Sequence, residues 1–105
     1  MKYIFVYITA ADRQEAEAIS ENIIQERLVA CTNILGEMSA LFYWDNNVQQ
    51  EQEVALIAKT TASAFPALEK RVKELHSYEC PCIIALPIAL GNADYLSWID
   101  EEVDQ

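Results

Sequence analysis

The sequence predicts an α+β fold, in which helices pack on one face of an antiparallel sheet. Two observations predict it. The chain has 105 residues, which suits one domain with one hydrophobic core. Its periodic segments follow the order β, α, β, β, α, β, with one further α at the end. Hydrophobic residues make up 52% of the chain and only two glycines interrupt them, which excludes disordered and low-complexity classes. We therefore expect a single domain over residues 1–105.

The first two elements are a central strand and a capped helix. Residues 3–9 are almost all apolar and rich in β-forming side chains, as expected for a strand that is covered on both faces. Asp12 and Glu15 then have the spacing of a capping box, in which each side chain satisfies a free backbone amide of the first helical turn. Apolar residues recur at helical spacing after this point. We expect the helix to end near Arg27.

A long hairpin follows the first helix. Residues 28–35 and 39–44 have the composition of one long strand, in which Gly36 marks a bulge or a bend. Residues 45–47 form the predicted turn, and residues 48–60 return as a strand that is polar at first and apolar afterwards. Strands longer than about 10 residues exceed what a small four-stranded sheet needs, and their unpaired ends require cover from another chain. The hairpin therefore predicts an oligomer.

The last three elements are a helix, a strand and a helix. Ser63 is expected to cap the second helix, with Pro66 in the first turn. Residues 82–86 are predicted to form a buried strand between two prolines, and Asn92 to cap the final helix. Four carboxylates among residues 100–104 oppose the negative end of that helix dipole, so this end is expected to fray. Right-handed crossovers make the order a split βαβ arrangement, that of ferredoxin-like sandwiches.

Charge and cysteine content limit the partners of this chain. Seventeen acidic residues against seven basic ones give a net charge of −10, which repels phosphate backbones and anionic membranes. We expect no nucleic-acid partner, and no membrane partner either, because no apolar stretch approaches the length of about 18 residues that spans a bilayer. The three cysteines are an odd number and indicate no disulfide framework. A reducing cytoplasm is the expected location.

Seven short motifs, in order along the chain, together carry a family resemblance. They are Val29-Ala30-Cys31-Thr32-Asn33-Ile34, Tyr43-Trp44, Ala58-Lys59-Thr60, Phe65-Pro66-Ala67-Leu68, His76-Ser77-Tyr78-Glu79, Ile84-Ala85-Leu86-Pro87-Ile88 and Tyr95-Leu96-Ser97-Trp98. With them the chain resembles the CutA family of divalent-cation tolerance proteins. The resemblance implies a homotrimer of ferredoxin-like subunits, related in architecture to PII signalling proteins. It also implies a non-enzymatic role in tolerance or homeostasis of divalent metals such as copper, which the protein would bind.

One segment departs from the family pattern and suggests a metal site. The family usually reads His-Pro-Tyr-Glu-Val-Pro-Glu where this chain has His76-Ser77-Tyr78-Glu79-Cys80-Pro81-Cys82. Alternate residues of an extended segment point to one face, which would bring the Cys80 and Cys82 thiols together, and thiolates favour Cu(I) and Zn(II). His76 could add a third ligand. In the alternative interpretation the thiols pack as small hydrophobic groups and His76 interacts with the preceding helix dipole.

A second function class is also consistent with the resemblance. A PII-like sensor would bind an organic ligand in clefts between subunits, and its candidate lining residues are Cys31, Asn33, Trp44, Lys59, Tyr78 and Glu79. A third possibility is a structural protein that assembles other proteins. We expect no enzyme and no organic cofactor, because the chain has no glycine-rich phosphate loop and no paired histidines, and its one histidine is the only base available to activate a cysteine.

Overall fold

The structure, a computed structural model, describes residues 2–104 as one α+β domain. A short 3₁₀ turn at Ala62–Ala64 precedes the second helix. Within residues 2–104, none of the helices is long and apolar enough to cross a membrane. The elements are β1 (Tyr3–Ala10), α1 (Arg13–Gln25), β2 (Cys31–Trp44), β3 (Asn47–Thr61), α2 (Phe65–Leu75), β4 (Ile83–Pro87) and α3 (Ala93–Glu102).

The four strands form one sheet with the order β2-β3-β1-β4, and every neighbouring pair is antiparallel. β1 and β2, which α1 connects, are separated by β3, while β3 and β4, which α2 connects, are separated by β1. This is the split βαβ arrangement. The predicted fold class is confirmed, and β1 is a central strand as expected.

The main hydrophobic core lies between α1, α2 and one face of the sheet. Alternate residues of a strand point to opposite faces, so β1 and β3 each direct every second side chain toward the helices. The other face, which we call the open face, carries Tyr7 of β1 and Glu53 and Lys59 of β3. The buried core residues are Ile4, Val6 and Ile8 of β1, Leu56 and Ala58 of β3, Ile19 and Ile23 of α1, Val29, and Leu68 and Val72 of α2.

The ends of α1 follow local sequence closely. The Asp12 carboxylate accepts a hydrogen bond from the Glu15 amide at 2.8 Å, so the predicted cap is confirmed. The Glu15 carboxylate reaches back to the amide of Ala11 at 2.9 Å, one residue before the partner that a capping box predicts. At the other end Arg27 has φ of 59°, and the Leu28 amide donates to the Ile23 carbonyl. This closing turn delays β2 to Cys31, three residues later than predicted.

The β2–β3 hairpin contains a bulge and a two-residue turn. The pairing shifts from Ile34 opposite Leu56 to Glu37 opposite Val54, so β2 carries one extra residue at Gly36, as predicted. Asp45 and Asn46 have φ of 54° and 62°, the backbone of a type I′ turn, and β3 therefore begins at Asn47. We call residues 37–53, beyond the bulge, the arm. The two strands of the arm pair with each other only, because β1 pairs with β3 as far as Val54.

Two predictions about the second half of the chain are wrong. Ser63 does not cap α2; its hydroxyl bonds that of Thr61 within the 3₁₀ turn, and the cap position is Ala64. β4 begins at Ile83 and was predicted to be buried, but it is mostly exposed on both faces in the single subunit, because it is the edge strand of the sheet and only β1 pairs with it. Two other expectations in this half are confirmed: Pro66 lies in the first turn of α2, and the Asn92 side chain caps α3 at the amide of Tyr95.

The acidic end of α3, which was predicted to fray, has partners that the sequence did not reveal. The Asp100 carboxylate accepts a hydrogen bond from the Tyr3 hydroxyl and pairs with Lys2 at 3.3 Å. The Arg27 guanidinium donates to the carbonyl of Glu101, and its own carbonyl accepts from Asp104. Basic partners from distant parts of the chain therefore offset the unfavourable helix dipole.

Candidate functional site

A groove lies between the arm and the segment that leads into β4. It encloses about 890 Å³. We call it the arm groove. Tyr7 and Thr9 of β1 contribute to it, and Thr9 lies just beyond the last residue of β1 that pairs with β4. Its described lining residues are Tyr7, Thr9, Met38, Ser39, Ala40, Leu41, Phe42, Tyr43, Trp44, Asp45, Gln49, Glu51, Glu53, Tyr78, Glu79, Cys80 and Cys82.

The arm groove is acidic and aromatic. Asp45, Glu51, Glu53 and Glu79 contribute carboxylates, while none of its described lining residues is a lysine, an arginine or a histidine. Because walls of low polarity focus the field of such charges, the groove attracts cations. Its aromatic side chains add flat apolar surface that can stack on a ligand or hold a cation over a ring. They are Tyr7, Phe42, Tyr43, Trp44 and Tyr78.

Glu53 is the buried carboxylate of the arm groove. It is 9% exposed and accepts a hydrogen bond from the Tyr78 hydroxyl at 2.8 Å. Burial, this hydrogen bond and the charge of Glu53 raise the pKa of Tyr78 well above its usual range. Burial, and then the charge of Glu53, also raise the pKa of the Cys82 thiol. The negative charge of Glu53 therefore favours the protonated forms of Tyr78 and Cys82 unless a cation enters the groove.

His76 is engaged within its own chain. Its side chain is fully buried, and Nε2 donates to the Thr9 carbonyl at 2.7 Å. Nδ1 accepts from the Tyr78 amide at 3.1 Å. These two bonds assign the neutral Nε2–H tautomer and use both ring nitrogens. His76 thus positions the start of the segment that carries Tyr78, and it does not line the arm groove.

Glu15 of α1 also contacts the segment that follows His76. Burial pushes its pKa upward, but hydrogen bonds from the Ala11 amide and from the side chain and amide of Ser77 outweigh burial and leave the pKa below its usual range. The Ser77 bond measures 2.8 Å. The carboxylate therefore links the N-terminus of α1 to the segment that precedes β4.

The three residues predicted as a metal site are only partly brought together. Cys80 and Cys82 are free thiols, exposed and half-buried respectively, and both line the arm groove. His76 lies behind them, and both of its possible ligand atoms already hold other bonds. Within residues 2–104 no group of three or more histidine, cysteine, aspartate or glutamate side chains is arranged to hold a metal ion. The metal site stays a prediction that depends on the two thiols.

The six residues predicted to line a ligand cleft divide into two groups in the single subunit. Trp44, Tyr78 and Glu79 line the arm groove. The other three lie near α3, outside that groove. They are Cys31, Asn33 and Lys59.

The second group is tied together around an aromatic residue of α3. The Lys59 ammonium donates to the Asn33 side chain at 2.8 Å and lies 5.8 Å from the centre of the Tyr95 ring. The Cys31 thiol is 3.2 Å from the Tyr95 hydroxyl, and that hydrogen bond, with burial, raises the pKa of Tyr95 to about 12. This cluster offers one cation and several polar groups at the surface.

Most residues of the arm groove were not predicted from sequence. Among them, Met38, Glu53, Tyr7 and Thr9 come from three different strands, and only the strand register brings them together. The signal available for Met38 is the bulge at Gly36. Before the bulge odd-numbered residues of β2 face the open side, and after it even-numbered ones do, which places Met38 opposite Glu53 on the open face.

Comparison with known proteins places this geometry in a family. Residues 4–102 match the family model described as CutA1 divalent ion tolerance protein. A relative from Thermus thermophilus, named a divalent-cation tolerance protein CutA, is 45% identical over 96 residues, which are 91% of this chain and 93% of the relative.

Solved structures agree with the sequence match. CutA1 from Oryza sativa superposes with a TM-score of 0.97 at 36% identity, covering 100% of this chain and 96% of the other. A structure from Archaeoglobus fulgidus, described as a periplasmic divalent cation tolerance protein CutA, gives a TM-score of 0.94 at 39% identity, covering 97% and 99% of the two chains. The resemblance inferred from the seven motifs is confirmed. The chain belongs to the CutA1 divalent ion tolerance family.

Proposed function

We propose that this protein contributes to the tolerance of divalent cations, copper among them, by binding metal ions as a homotrimer. The observation that supports this is the arm groove. Its described lining residues contribute four carboxylates and two thiols, and none of them has a cationic side chain. Such a surface concentrates cations, and its donors suit both hard and soft metal ions.

Self-association is supported by apolar surface that the single subunit leaves exposed. On the arm, Leu41, Tyr43 and Val48 are 65%, 76% and 63% exposed, and their pairing places them on one face. At the opposite edge of the sheet, Ile84 and Leu86 of β4 are more than half exposed. Contiguous apolar surface of this kind marks a protein–protein interface. The number of three subunits follows from the family resemblance.

The proposed function involves no catalysis. His76 is the only histidine of the chain, and its two nitrogens are committed to Thr9 and Tyr78. A thiol nucleophile at Cys80 or Cys82 would need a neighbouring base, and burial, followed by the charge of Glu53, raises the pKa of Cys82 instead of lowering it. Both features support a binding role.

Growth of cells on graded metal salts tests this function. A strain that lacks its own tolerance protein is supplied with this chain, and we expect growth at higher Cu(II) or Zn(II) concentrations than with an empty vector. Glu51→Gln with Glu79→Gln removes two charges from the groove and should reduce the protection. Glu17→Gln with Glu21→Gln removes two charges from the exposed face of α1 and serves as the matched control. Equal protection by empty vector and wild type would refute the proposal.

A small-ligand sensor is the second candidate function. The volume and aromatic lining of the arm groove favour it, because organic ligands occupy concave sites of about 300 to 1,000 Å³ with apolar walls and a few polar groups. A thermal-shift screen of small organic cations tests it, since a ligand that binds only the folded protein raises the unfolding midpoint. A hit whose effect disappears in Trp44→Ala would support the sensor, while a screen without any groove-dependent hit would count against it.

We also propose a cytoplasmic location. The three free thiols support it, since disulfides predominate in oxidising compartments. The Archaeoglobus fulgidus relative is described as periplasmic, so the descriptions of the relatives do not all support a cytoplasmic location. Cell fractionation with compartment markers decides between the two.

A further inference from the structure

Glu53 is a buried carboxylate without a counter-ion in the described part of its chain. It is 9% exposed, and among residues 2–104 only the Tyr78 hydroxyl donates a hydrogen bond to its carboxylate, at Oε2. None of the ion pairs in that range includes Glu53. Lys59 is the only cationic residue of β3, lies about 20 Å further along the same face and donates to Asn33. The charge of Glu53 is therefore left for a cation from outside the chain.

A buried charge of this kind indicates a binding site. Removing a carboxylate from water without a partner of opposite charge destabilises the folded protein, so buried charges in proteins are normally paired. Because Glu53 lines the arm groove, a molecule that enters the groove can supply the missing positive charge. The burial of Glu53 therefore points to a cationic ligand.

A second carboxylate lies on the same face of the arm and also lines the groove. Glu51 precedes Glu53 by two positions in β3, so both side chains point to the open face, from backbone positions about 7 Å apart. Across the strand pair, Met38 lies opposite Glu53 and Ala40 lies opposite Glu51. The groove thus offers two negative charges at a defined spacing, with an apolar strip beside them.

Two tyrosines hold fixed positions near Glu53. The amide of Tyr78 donates to Nδ1 of His76 at 3.1 Å, and the centres of these two rings are 4.7 Å apart. The Tyr7 hydroxyl donates at 3.7 Å to the sulfur of Met38, the residue that pairs with Glu53. Both aromatic side chains are therefore held in place without a ligand, and aromatic faces attract alkylammonium ions.

We propose that the arm groove binds a linear aliphatic diamine, with one ammonium group at Glu53 and the other at Glu51. This inference rests on the small-ligand sensor, the second candidate function, because it names the ligand class of the same groove. Four methylene groups separate two nitrogens by about 6 Å when the chain is extended, which matches the spacing of the two carboxylates. The methylene groups lie against Met38 and Ala40.

The surroundings favour an organic cation over an inorganic one. Within residues 2–104 no group of three or more histidine, cysteine, aspartate or glutamate side chains is arranged to hold a metal ion. A diamine needs only one carboxylate at each end, because each ammonium group donates charge-assisted hydrogen bonds. Its apolar chain also uses the aliphatic and aromatic walls of the groove, which a hydrated metal ion does not.

Isothermal titration calorimetry with 1,4-diaminobutane at constant ionic strength tests the site. We expect one diamine per chain. Glu53→Gln should weaken binding by more than about tenfold, because a buried charge-assisted interaction is lost. Glu37→Gln is the matched control. It removes the same charge from the same hairpin, but Glu37 pairs with Val54 on the opposite face and does not line the groove, so the affinity should be unchanged.

A monoamine separates the two ends of the ligand. 1-Aminobutane has the same chain with one ammonium group and should bind roughly fivefold more weakly, since the exposed pair with Glu51 contributes modestly. Glu51→Gln should lower the affinity for the diamine to that for 1-aminobutane and leave 1-aminobutane unaffected. Thermal unfolding without ligand checks the fold of each variant. Glu53→Gln should unfold at the wild-type temperature or above it, because the unpaired charge is gone and Tyr78 can still donate to the amide oxygen.

Three results would reject the diamine site. They are wild-type affinity in Glu53→Gln, an equal loss of affinity in Glu37→Gln, and equal affinities of the wild type for 1-aminobutane and 1,4-diaminobutane. A lower unfolding temperature of Glu53→Gln with a smaller mass in sedimentation would reject it too, because a second copy of the chain would then supply the counter-charge. If other organic cations give groove-dependent thermal shifts while 1,4-diaminobutane does not bind, the sensor function stands and the diamine inference fails.

Discussion

The β2–β3 hairpin has two regions, the root and the arm, which belong to one hydrogen-bonded strand pair but differ in the elements that pack against them. The root consists of residues 31–34 of β2 and 54–61 of β3, which lie on the opposite side of the bulge from the arm. In the root, Val54, Leu56 and Ala58 are buried beneath α1 and α2. In the arm, Leu41, Tyr43 and Val48 are mostly exposed. Backbone pairing continues from the root to the turn at Asp45. The difference shows that local sequence is sufficient for a strand, whereas burial depends on which other element covers it.

This contrast predicts that equal truncations in the two regions have unequal effects, and it is the largest difference we expect. Leu56→Ala removes a fully buried side chain and should lower the free energy of unfolding by about 2–5 kcal/mol. Val48→Ala in the arm should stay within about 0.5 kcal/mol for the subunit. Denaturant unfolding at one fixed subunit concentration measures both, because assembly shifts apparent stability. Equal losses would show that the arm is part of the same core.

The arm should matter most for assembly. Leu41→Asp with Val48→Asp places two charges on its exposed apolar face, and burying each unpaired charge should weaken association by more than about tenfold. Sedimentation equilibrium at micromolar concentration should then show a mass below the three chains expected of the wild type, with unchanged circular dichroism. Lys70→Asp, an exposed change on α2, is the control. A wild type that sediments as a single chain would contradict the trimer itself.

The turn at the tip of the arm should influence the arm alone. Asp45 and Asn46 hold positive φ angles, which asparagine and aspartate tolerate better than other non-glycine residues. Asn46→Ala should therefore favour opening of the arm by about 1 kcal/mol, or roughly fivefold in the opening equilibrium. Hydrogen exchange should speed up at arm amides and stay constant at Leu56. Faster exchange throughout β3 would mean that arm and root open together.

The smallest effect concerns the hydrogen-bonded carboxylate of Glu15. The folded state lowers the pKa of Glu15 below its ordinary value of 4.5, so the carboxylate stabilises the fold fully above that value and loses its contribution as the pH falls through the lower folded pKa. Glu15→Gln should flatten the decline of stability with acid in this window, measured by unfolding at a series of pH values. Glu17→Gln, on the exposed face of α1, is the control. A wild-type acid profile in Glu15→Gln would exclude Glu15 as a contributor.

The elements of the fold were predictable because their signals are local. Asp12 and Asn92 cap their helices because each side chain accepts a hydrogen bond from the backbone amide three residues later. Gly36 marks the bulge, and the polar-to-apolar change along β3 marks where the arm meets the root. Ser63 misled the prediction because the chain makes a 3₁₀ turn there before the helix begins. The partners of the end of α3, which are Lys2, Tyr3 and Arg27, were not predictable because they are far away in sequence.

The candidate site was predictable only in part. Cys80 and Cys82 attracted attention because their spacing is visible in the sequence, and the structure places both in the arm groove. His76 was a reasonable third ligand by proximity, yet its nitrogens bond Thr9 and Tyr78. The signal for Met38 was only indirect, through the bulge at Gly36. Its side of the sheet depends on one extra residue in β2, and a one-residue change of register reverses every side chain beyond it.

The sequence by itself determined the order of strands and helices, the family and the overlong hairpin that needs a partner. These depend on periodicity, caps and turn residues, whose interactions extend over only a few positions. Only the tertiary structure decided that Met38, Glu53 and Cys82 share one groove and that His76 is excluded from it. Side chains from different strands meet according to register and crossover, which are set by packing across the whole sheet.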